Sequence, residues 1–127
     1  MLLDQNMKDM NEASLSVKIE KMFAGKDHVG AVKHLEGIDI NSFVNFVHNI
    51  MKEIGKKYEE AIEVKNQRNI YNNLCYLSEN LYLWIKATQT DIGLLLEIRI
   101  YHPTELSALS DELLNKFMEI FEKIYYI

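Results

Sequence analysis

The choice between a helical and a sheet structure for this chain rests on residues 92–101, whose sequence is IGLLLEIRIY. Leu96, Ile98 and Ile100 alternate with polar or aromatic residues, as in a strand that is buried on one face. In a helix the same residues would be apolar on nearly every side, with Pro103 just past the end. The pattern of this segment alone is therefore compatible with either structure.

The rest of the chain favours the helix for this segment. We find no second strand pattern that could pair with residues 92–101, and an unpaired strand leaves its backbone N–H and C=O groups unsatisfied. If the segment is a strand instead, it must pair with a second copy of the protein or with another partner.

The two preceding segments have apolar residues at helical spacing. In residues 67–87 these positions are separated alternately by four and three residues, and they are Ile70, Leu74, Leu77, Leu81 and Trp84. Asn41 or Ser42 can cap a long helix that reaches about Val64 and carries two adjacent apolar stripes. Two stripes side by side indicate contact with more than one neighbouring helix, as inside a bundle. The polar residues around Asn66 leave open whether these are separate helices.

Three further capping signals complete the predicted helices. Gly25 can end a first helix, Asp27 can cap a short one, and Ser110 can cap the last one. Helix breakers are scarce, since the chain has 1 proline and 5 glycines. We therefore predict an all-α fold, a single helical domain over residues 1–127 that forms a bundle of about four to six helices, with residues 1–6 frayed at the start.

Size and composition indicate one globular domain without a membrane span. The chain has 127 residues, of which 48% are hydrophobic and 26% are charged, and these values are ordinary for a globular domain. The N-terminus lacks the continuous apolar stretch of a signal peptide, and no apolar run approaches the roughly 20 residues that cross a bilayer. The single cysteine, Cys75, excludes an intrachain disulfide. We expect a cytoplasmic protein.

Charge and motif content argue against most kinds of functional site. The net charge of −5 and the scattered Lys and Arg residues do not favour nucleic-acid binding, which needs a basic face. His28, His34 and His48 have no ligand partner three or four residues away on their predicted helices, and no glycine-rich phosphate loop is present. We therefore expect no metal and no cofactor. Cys75 lies on an apolar stripe, which is typical of a buried structural thiol.

One pair of residues leaves an enzymatic alternative open. Arg99 and His102 lie between two predicted helices, where His could act as a general acid or base while Arg holds a phosphate. The pair resembles the Arg and His of small helical ribonucleases of the HEPN type, although only 2 residues intervene here, fewer than in that family. The resemblance implies a metal-independent ribonuclease. The favoured interpretation is structural, with Arg99 paired to a surface acid and His102 capping a helix end.

The surplus of apolar helix and the lack of catalytic motifs favour a non-enzymatic protein–protein interaction module. Members of this class include an inhibitor or immunity protein, a regulatory subunit, a secretion chaperone or a small subunit of a complex. Tyr and Trp suit interfaces because they combine a large area with a polar group. We predict an apolar, tyrosine-bearing helical face with the candidate interface residues Trp84, Tyr101, Tyr125 and Tyr126. The expected partner is another protein, a second copy of this chain, or both, and a nucleic-acid-binding regulator is a further alternative.

Overall fold

The computed structural model describes residues 14–125, with side chains to residue 123, and shows a five-stranded antiparallel sheet with helices on both faces. The helices are α1 (Leu15–Phe23), α2 (Ile40–Ile54) and α3 (Ser107–Tyr125), and a 3-10 turn, Thr104–Leu106, precedes α3. The strands are β1 (His28–Glu36), β2 (Tyr58–Lys65), β3 (Arg68–Ser78), β4 (Leu81–Gln89) and β5 (Gly93–Tyr101). Their order in the sheet is β1-β5-β4-β3-β2, so β1 and β2 are the two edges. The frayed residues 1–6 of the prediction lie outside the described residues.

The prediction of an all-α helical bundle is wrong, and the inner strands show why. Strands β3 and β4 bury residues on both faces, so apolar residues occupy positions of both parities along each of them. In the predicted helix over residues 67–87, Leu74 and Trp84 lie on one face of the sheet, whereas Leu77 and Leu81 lie on the other. Their spacing imitates that of a helix, because spacing alone does not separate a strand buried on both sides from a buried helix.

The segment 92–101 is a strand and not the predicted helix. It pairs with β1 on one side and with β4 on the other, both within the same chain. Its backbone groups are therefore satisfied without a second copy of the protein. The sequence analysis did not recognise these two neighbouring strands. It assigned β1 to a short helix after Asp27, and it assigned most of β4 to the helix predicted over residues 67–87.

Helices α2 and α3 confirm two predicted helices, with different ends. The backbone N–H of Ser42 donates to the Asp39 carboxylate at 3.0 Å, and this bond lowers the pKa of the Asp39 carboxyl. Helix α2 ends well before Val64, at Gly55, whose φ of 68° is the left-handed conformation that favours glycine. Ser110 lies inside α3 and does not cap it, since its hydroxyl donates to the Leu106 carbonyl at 2.9 Å. Within residues 14–125, no helix has the length and apolar character needed to cross a membrane.

The two faces of the sheet are covered unequally. Helices α2 and α3 pack on one face over the larger hydrophobic cluster, which includes Phe43 and Phe121. Helix α1 has only nine residues and packs on the opposite face, which we call the α1 face. Its contact residues are Leu15, Ile19 and Phe23 on the helix and Leu74, Trp84 and Tyr101 on the strands. The α1 face beyond this helix includes Arg99 of β5 and Val32 of β1.

A chain of polar side chains connects α2 with the sheet on the other face. His48 Nε2 lies 2.6 Å from one oxygen of Glu60, and the Tyr71 hydroxyl donates to the other oxygen at 2.7 Å. The Asn73 amide in turn donates to the Tyr71 hydroxyl at 3.0 Å. Burial, together with the hydrogen bond to Glu60, raises the pKa of Tyr71 well above its usual value. Tyr71 is thus a neutral, buried donor in a polar network that reaches the surface at His48.

We expect Tyr71→Phe to lower the free energy of unfolding by about 1–3 kcal/mol, because it removes a buried hydroxyl that serves two partners. Urea denaturation followed by circular dichroism measures the loss. Tyr58→Phe on β2 is the matched control, since the Tyr58 hydroxyl makes no hydrogen bond within the described part of the chain. The control is expected to change stability by less than about 0.5 kcal/mol. Equal losses in the two variants would contradict the role assigned to the Tyr71 network.

Candidate binding groove on the α1 face

The candidate functional site is a groove between the C-terminal end of α1 and strands β4, β5 and β1. It has a volume of about 470 Å³ and is open to solvent on the α1 face. Phe23, Trp84 and Tyr101 provide its aromatic surface, whereas Lys26 and Arg99 bring positive charge. We call it the Arg99 groove.

The aromatic surface is held rigidly by ring contacts and one buried hydrogen bond. The Phe23 and Tyr101 rings stack with centroids 4.1 Å apart, and the Trp84 ring lies 6.4 Å from that of Tyr101. Trp84 is only 6% exposed, and its indole N–H donates to the side-chain oxygen of Asn72 at 2.8 Å. The rings therefore form a fixed platform whose orientation does not depend on a ligand.

Arg99 lies on this platform, and no acidic side chain among residues 14–123 pairs with it. Its guanidinium carbon lies 5.1 Å from the centre of the Trp84 ring, and one guanidinium nitrogen donates to the Tyr101 hydroxyl at 3.2 Å. No carboxylate of residues 14–125 forms an ion pair with it, so the predicted pairing of Arg99 with a surface acid is not seen. Arg99 is therefore a partly buried cation that the rings hold in place and no described acid neutralises.

Gly30 leaves room for the Arg99 side chain at the β1 side of the groove. The two residues are directly opposite in the register of β1 and β5. A Cβ atom on Gly30 would lie 3.0 Å from the Ile98 carbonyl oxygen and 3.2 Å from Cγ of Arg99. A larger residue at position 30 would therefore displace the Arg99 side chain from its present path.

The groove differs in charge from the protein as a whole. Its lining includes three cations, Lys26, Lys86 and Arg99, and two carboxylates, Glu20 and Glu97. One of these cations is already engaged, because the Lys86 amine lies 3.9 Å from the Glu97 carboxylate. The lining is thus slightly positive in a chain with a net charge of −5. An anionic group is attracted to this groove more than to the remaining surface.

His102 lies in a different groove from Arg99. This second groove has a volume of about 330 Å³, and the stacked Phe23 and Tyr101 rings contribute to both grooves. The His102 ring Nδ1 lies 2.7 Å from the Pro103 carbonyl oxygen and so carries the donated proton. The HEPN-like alternative needs Arg99 and His102 on a helical turn in a shared cleft. The structure instead places Arg99 on a strand and does not bring the two side chains together.

The remaining predicted site residues divide between the two faces of the sheet. Trp84 and Tyr101 come together in the Arg99 groove, but they lie on strands and not on the predicted helical face. Tyr125 is at the end of α3, which packs on the opposite face, and Tyr126 lies outside the described residues. The sequence prediction missed Phe23 and Gly30. The sequence did contain a signal for part of the groove. Arg99 and Tyr101 are two residues apart, and in a strand this spacing places both side chains on one face.

The other candidates for chemistry are the Cys75 thiol and a metal site. Cys75 is fully buried, as predicted, and burial raises the pKa of its thiol to about 11, which disfavours the reactive thiolate. Among the residues that the structure describes, no group of three or more His, Cys, Asp or Glu side chains could hold a metal ion. These findings leave the Arg99 groove as the principal candidate.

No family model, curated protein or solved structure matches this chain. The function is therefore inferred from the groove itself and from the charge and exposure of the residues that line it.

Proposed function

We propose that this protein is a non-enzymatic protein–protein interaction module that holds a carboxylate-bearing segment of a partner protein in the Arg99 groove. One observation carries the proposal. Arg99 is a partly buried cation that aromatic side chains hold in place, and within residues 14–125 it has no ion-pair partner. A carboxylate from another protein would supply the missing counter-charge.

The geometry of Arg99 suits a carboxylate in particular. A guanidinium group offers two parallel N–H donors to the two oxygens of a carboxylate, and charge-assisted hydrogen bonds of this kind are about twice as strong as neutral ones. Stacking on Trp84 and the hydrogen bond to Tyr101 already restrict the side chain. Less conformational entropy is then lost when a ligand binds. The neighbouring aromatic rings would pack against an apolar residue next to the bound carboxylate.

The charge of the groove favours a protein partner over a nucleic acid. Nucleic-acid binding gains most of its affinity from several phosphate contacts, which require an extended basic surface. Here Glu20 and Glu97 line the groove together with its cations and would repel a polyanion. A single carboxylate can approach Arg99 while Glu97 stays paired with Lys86 and Glu20 stays exposed to solvent. An inhibitor or immunity protein, a regulatory subunit or a small complex subunit would each use such a contact. A cytoplasmic location agrees with the single buried cysteine.

The proposal predicts that the fluorescence of Trp84 reports on binding. The chain has 1 tryptophan, and its ring lies directly beneath Arg99. We expect emission to change saturably when peptides with adjacent acidic and aromatic residues are added, and the same peptides with amides in place of the acids to bind more weakly. Arg99→Gln is expected to weaken binding about tenfold or more, which corresponds to the loss of a charge-assisted hydrogen bond.

The matched control for this experiment is Lys116→Gln. Lys116 is exposed on α3, on the other face of the sheet, and its replacement removes the same formal charge. It is expected to bind the acidic peptides as the wild type does. If a broad set of acidic peptides leaves Trp84 emission unchanged, or if Arg99→Gln binds as tightly as Lys116→Gln, the proposed function is incorrect.

A further inference from the structure

Strand β1 is a free edge of the sheet with properties that suit pairing. On its outer side it has no neighbouring strand among the described residues, and its pairing with β5 runs over nine residues without a register shift. It contains no proline, and proline is a residue that often prevents an edge strand from pairing with another chain. Val32, at the centre of the strand, is 63% exposed. This edge is therefore able to accept another strand.

Charge distinguishes the two edges of the sheet. Strand β1 contains one lysine, Lys33, and one carboxylate, Glu36, so its formal charges cancel when its histidines are neutral. Strand β2 contains three glutamates and one lysine, Lys65. Two copies of β2 would bring two acidic edges together in a protein that is already acidic, whereas two copies of β1 would not.

An exposed apolar stripe on α3 lies next to the β1 edge. Leu109 and Ile120 are 44% and 39% exposed, and Leu113 lies between them on the same side of the helix. Helix α3 packs over β1 and β5, whereas α2 packs over β3 and β4. The exposed stripe therefore belongs to the helix that lies nearer to the β1 edge.

We propose that two copies of this protein associate through antiparallel pairing of their β1 strands about a two-fold axis at Val32. Such an axis, perpendicular to the sheet, keeps both α1 faces on the same side and uses the same surface of each copy. Val32 then lies opposite Val32 of the second copy, and His28 lies opposite Glu36 of the second copy. A register centred on Lys33 would instead place two lysines face to face.

The same pairing makes the α3 helices of the two copies neighbours on the other face, because α3 packs over β1 and β5. The two five-stranded sheets become one continuous sheet, and the backbone groups of both β1 edges gain partners. The β1 edge meets the Arg99 groove only at His28, which lines the groove and is also the first residue of β1. Self-association through the β1 backbone needs no ligand in the groove, so it does not depend on the proposed function. Both grooves lie on the same side of the joined sheet.

Sedimentation equilibrium at tens of micromolar tests the proposal with two matched valines. Val32 of β1 and Val64 of β2 are 63% and 72% exposed on opposite edges of the sheet. The wild type and Val64→Lys are expected to be dimers, and Val32→Lys is expected to be a monomer with an unchanged circular-dichroism spectrum. A monomeric wild type, a dimeric Val32→Lys or a monomeric Val64→Lys overturns the proposal.

Cross-linking tests the register and does not depend on how Val32→Lys folds. Residues directly opposite in an antiparallel pair have Cβ atoms about 4.5–5.5 Å apart, close to the separation in a disulfide. Under oxidation Val32→Cys is expected to form a disulfide-linked dimer, and Val64→Cys is expected to remain a monomer on a non-reducing gel. The native Cys75 is buried and does not compete. A cross-link through Val64→Cys and none through Val32→Cys overturns the proposal.

Discussion

Gly93→Ala is expected to lower the free energy of unfolding by on the order of 3 kcal/mol or more. A Cβ atom at position 93 would lie 1.9 Å from the Leu35 carbonyl oxygen and 2.9 Å from Cα of Glu36. Both contacts are with the backbone of β1, which cannot move away as the end of a side chain can. Relief requires the strands to separate where Gly37 donates to the Ile92 carbonyl at 2.7 Å. Urea denaturation measures the loss.

Gly30→Ala is the control for Gly93→Ala, because it adds the same methyl group between the same two strands. At position 30 the new atom would approach the Ile98 carbonyl oxygen to 3.0 Å, a contact that shifts of a few tenths of an ångström can relieve. We expect a loss of about 1 kcal/mol. If the two variants lose equal stability, the close backbone approach at Gly93 is not what requires glycine there.

Trp84→Ala is expected to lower the free energy of unfolding by about 3–5 kcal/mol. The indole is 6% exposed and packs in the cluster that attaches α1 to the sheet. Its removal leaves a cavity, takes the N–H donor from the buried Asn72 side chain and removes the ring beneath Arg99. The change is measured by urea denaturation, followed by far-ultraviolet circular dichroism because the only tryptophan is lost.

Trp84→Phe separates the volume of this side chain from its hydrogen bond. Phenylalanine retains an aromatic ring but cannot donate to Asn72, whose amide nitrogen already lacks a partner within residues 14–125. The expected loss is about 1–3 kcal/mol, smaller than that of Trp84→Ala. A Trp84→Ala protein that keeps its stability and fails only to bind peptides would assign Trp84 to the binding surface and not to the core.

Helices α2 and α3 could be predicted from the sequence because each has one solvent-exposed side. Their apolar residues recur every three to four positions, and charged residues such as Lys52 and Glu119 occupy the exposed positions. Strand β3 lacks this contrast, since Leu74 and Cys75 are neighbours in sequence and both are fully buried, on opposite faces. Periodicity could not identify such a strand, because without an exposed face it has no alternating pattern. Strand β5 does alternate, and it was assigned to a helix because no partner strand was recognised.

The hairpin turns were hidden for a related reason. The turn between β2 and β3 contains Asn66 and Gln67, with φ of 55° and 64°, and Asn80 between β3 and β4 has φ of 68°. These left-handed conformations are usually marked by glycine, and neither turn contains one. A polar segment without glycine or proline is only a weak indication of a turn. The sequence prediction therefore extended one helix across the β3–β4 turn and left open whether the chain breaks at Asn66.

The candidate site was predictable in its residue types but not in its geometry. Trp84 and Tyr101 were chosen for their aromatic chemistry, and Arg99 was identified as a cation able to hold an anion. Their proximity depends on the register of the sheet, in which Trp84 is directly opposite Arg99. His102, which local spacing had suggested as the partner of Arg99, lies just beyond the end of β5 and lines a different groove.

By itself the sequence determined that the chain has enough apolar residues for a core, where two of its amphipathic helices lie, and that its only cysteine is buried. The tertiary structure decided that the central segments are strands, that Gly93 must lack a side chain, and that Arg99 lies on a tryptophan with no ion-pair partner among residues 14–125. Periodicity is a local property, whereas strand pairing joins distant residues such as His28 and Tyr101 through backbone groups that every residue shares. For this reason the helices could be predicted and the sheet could not.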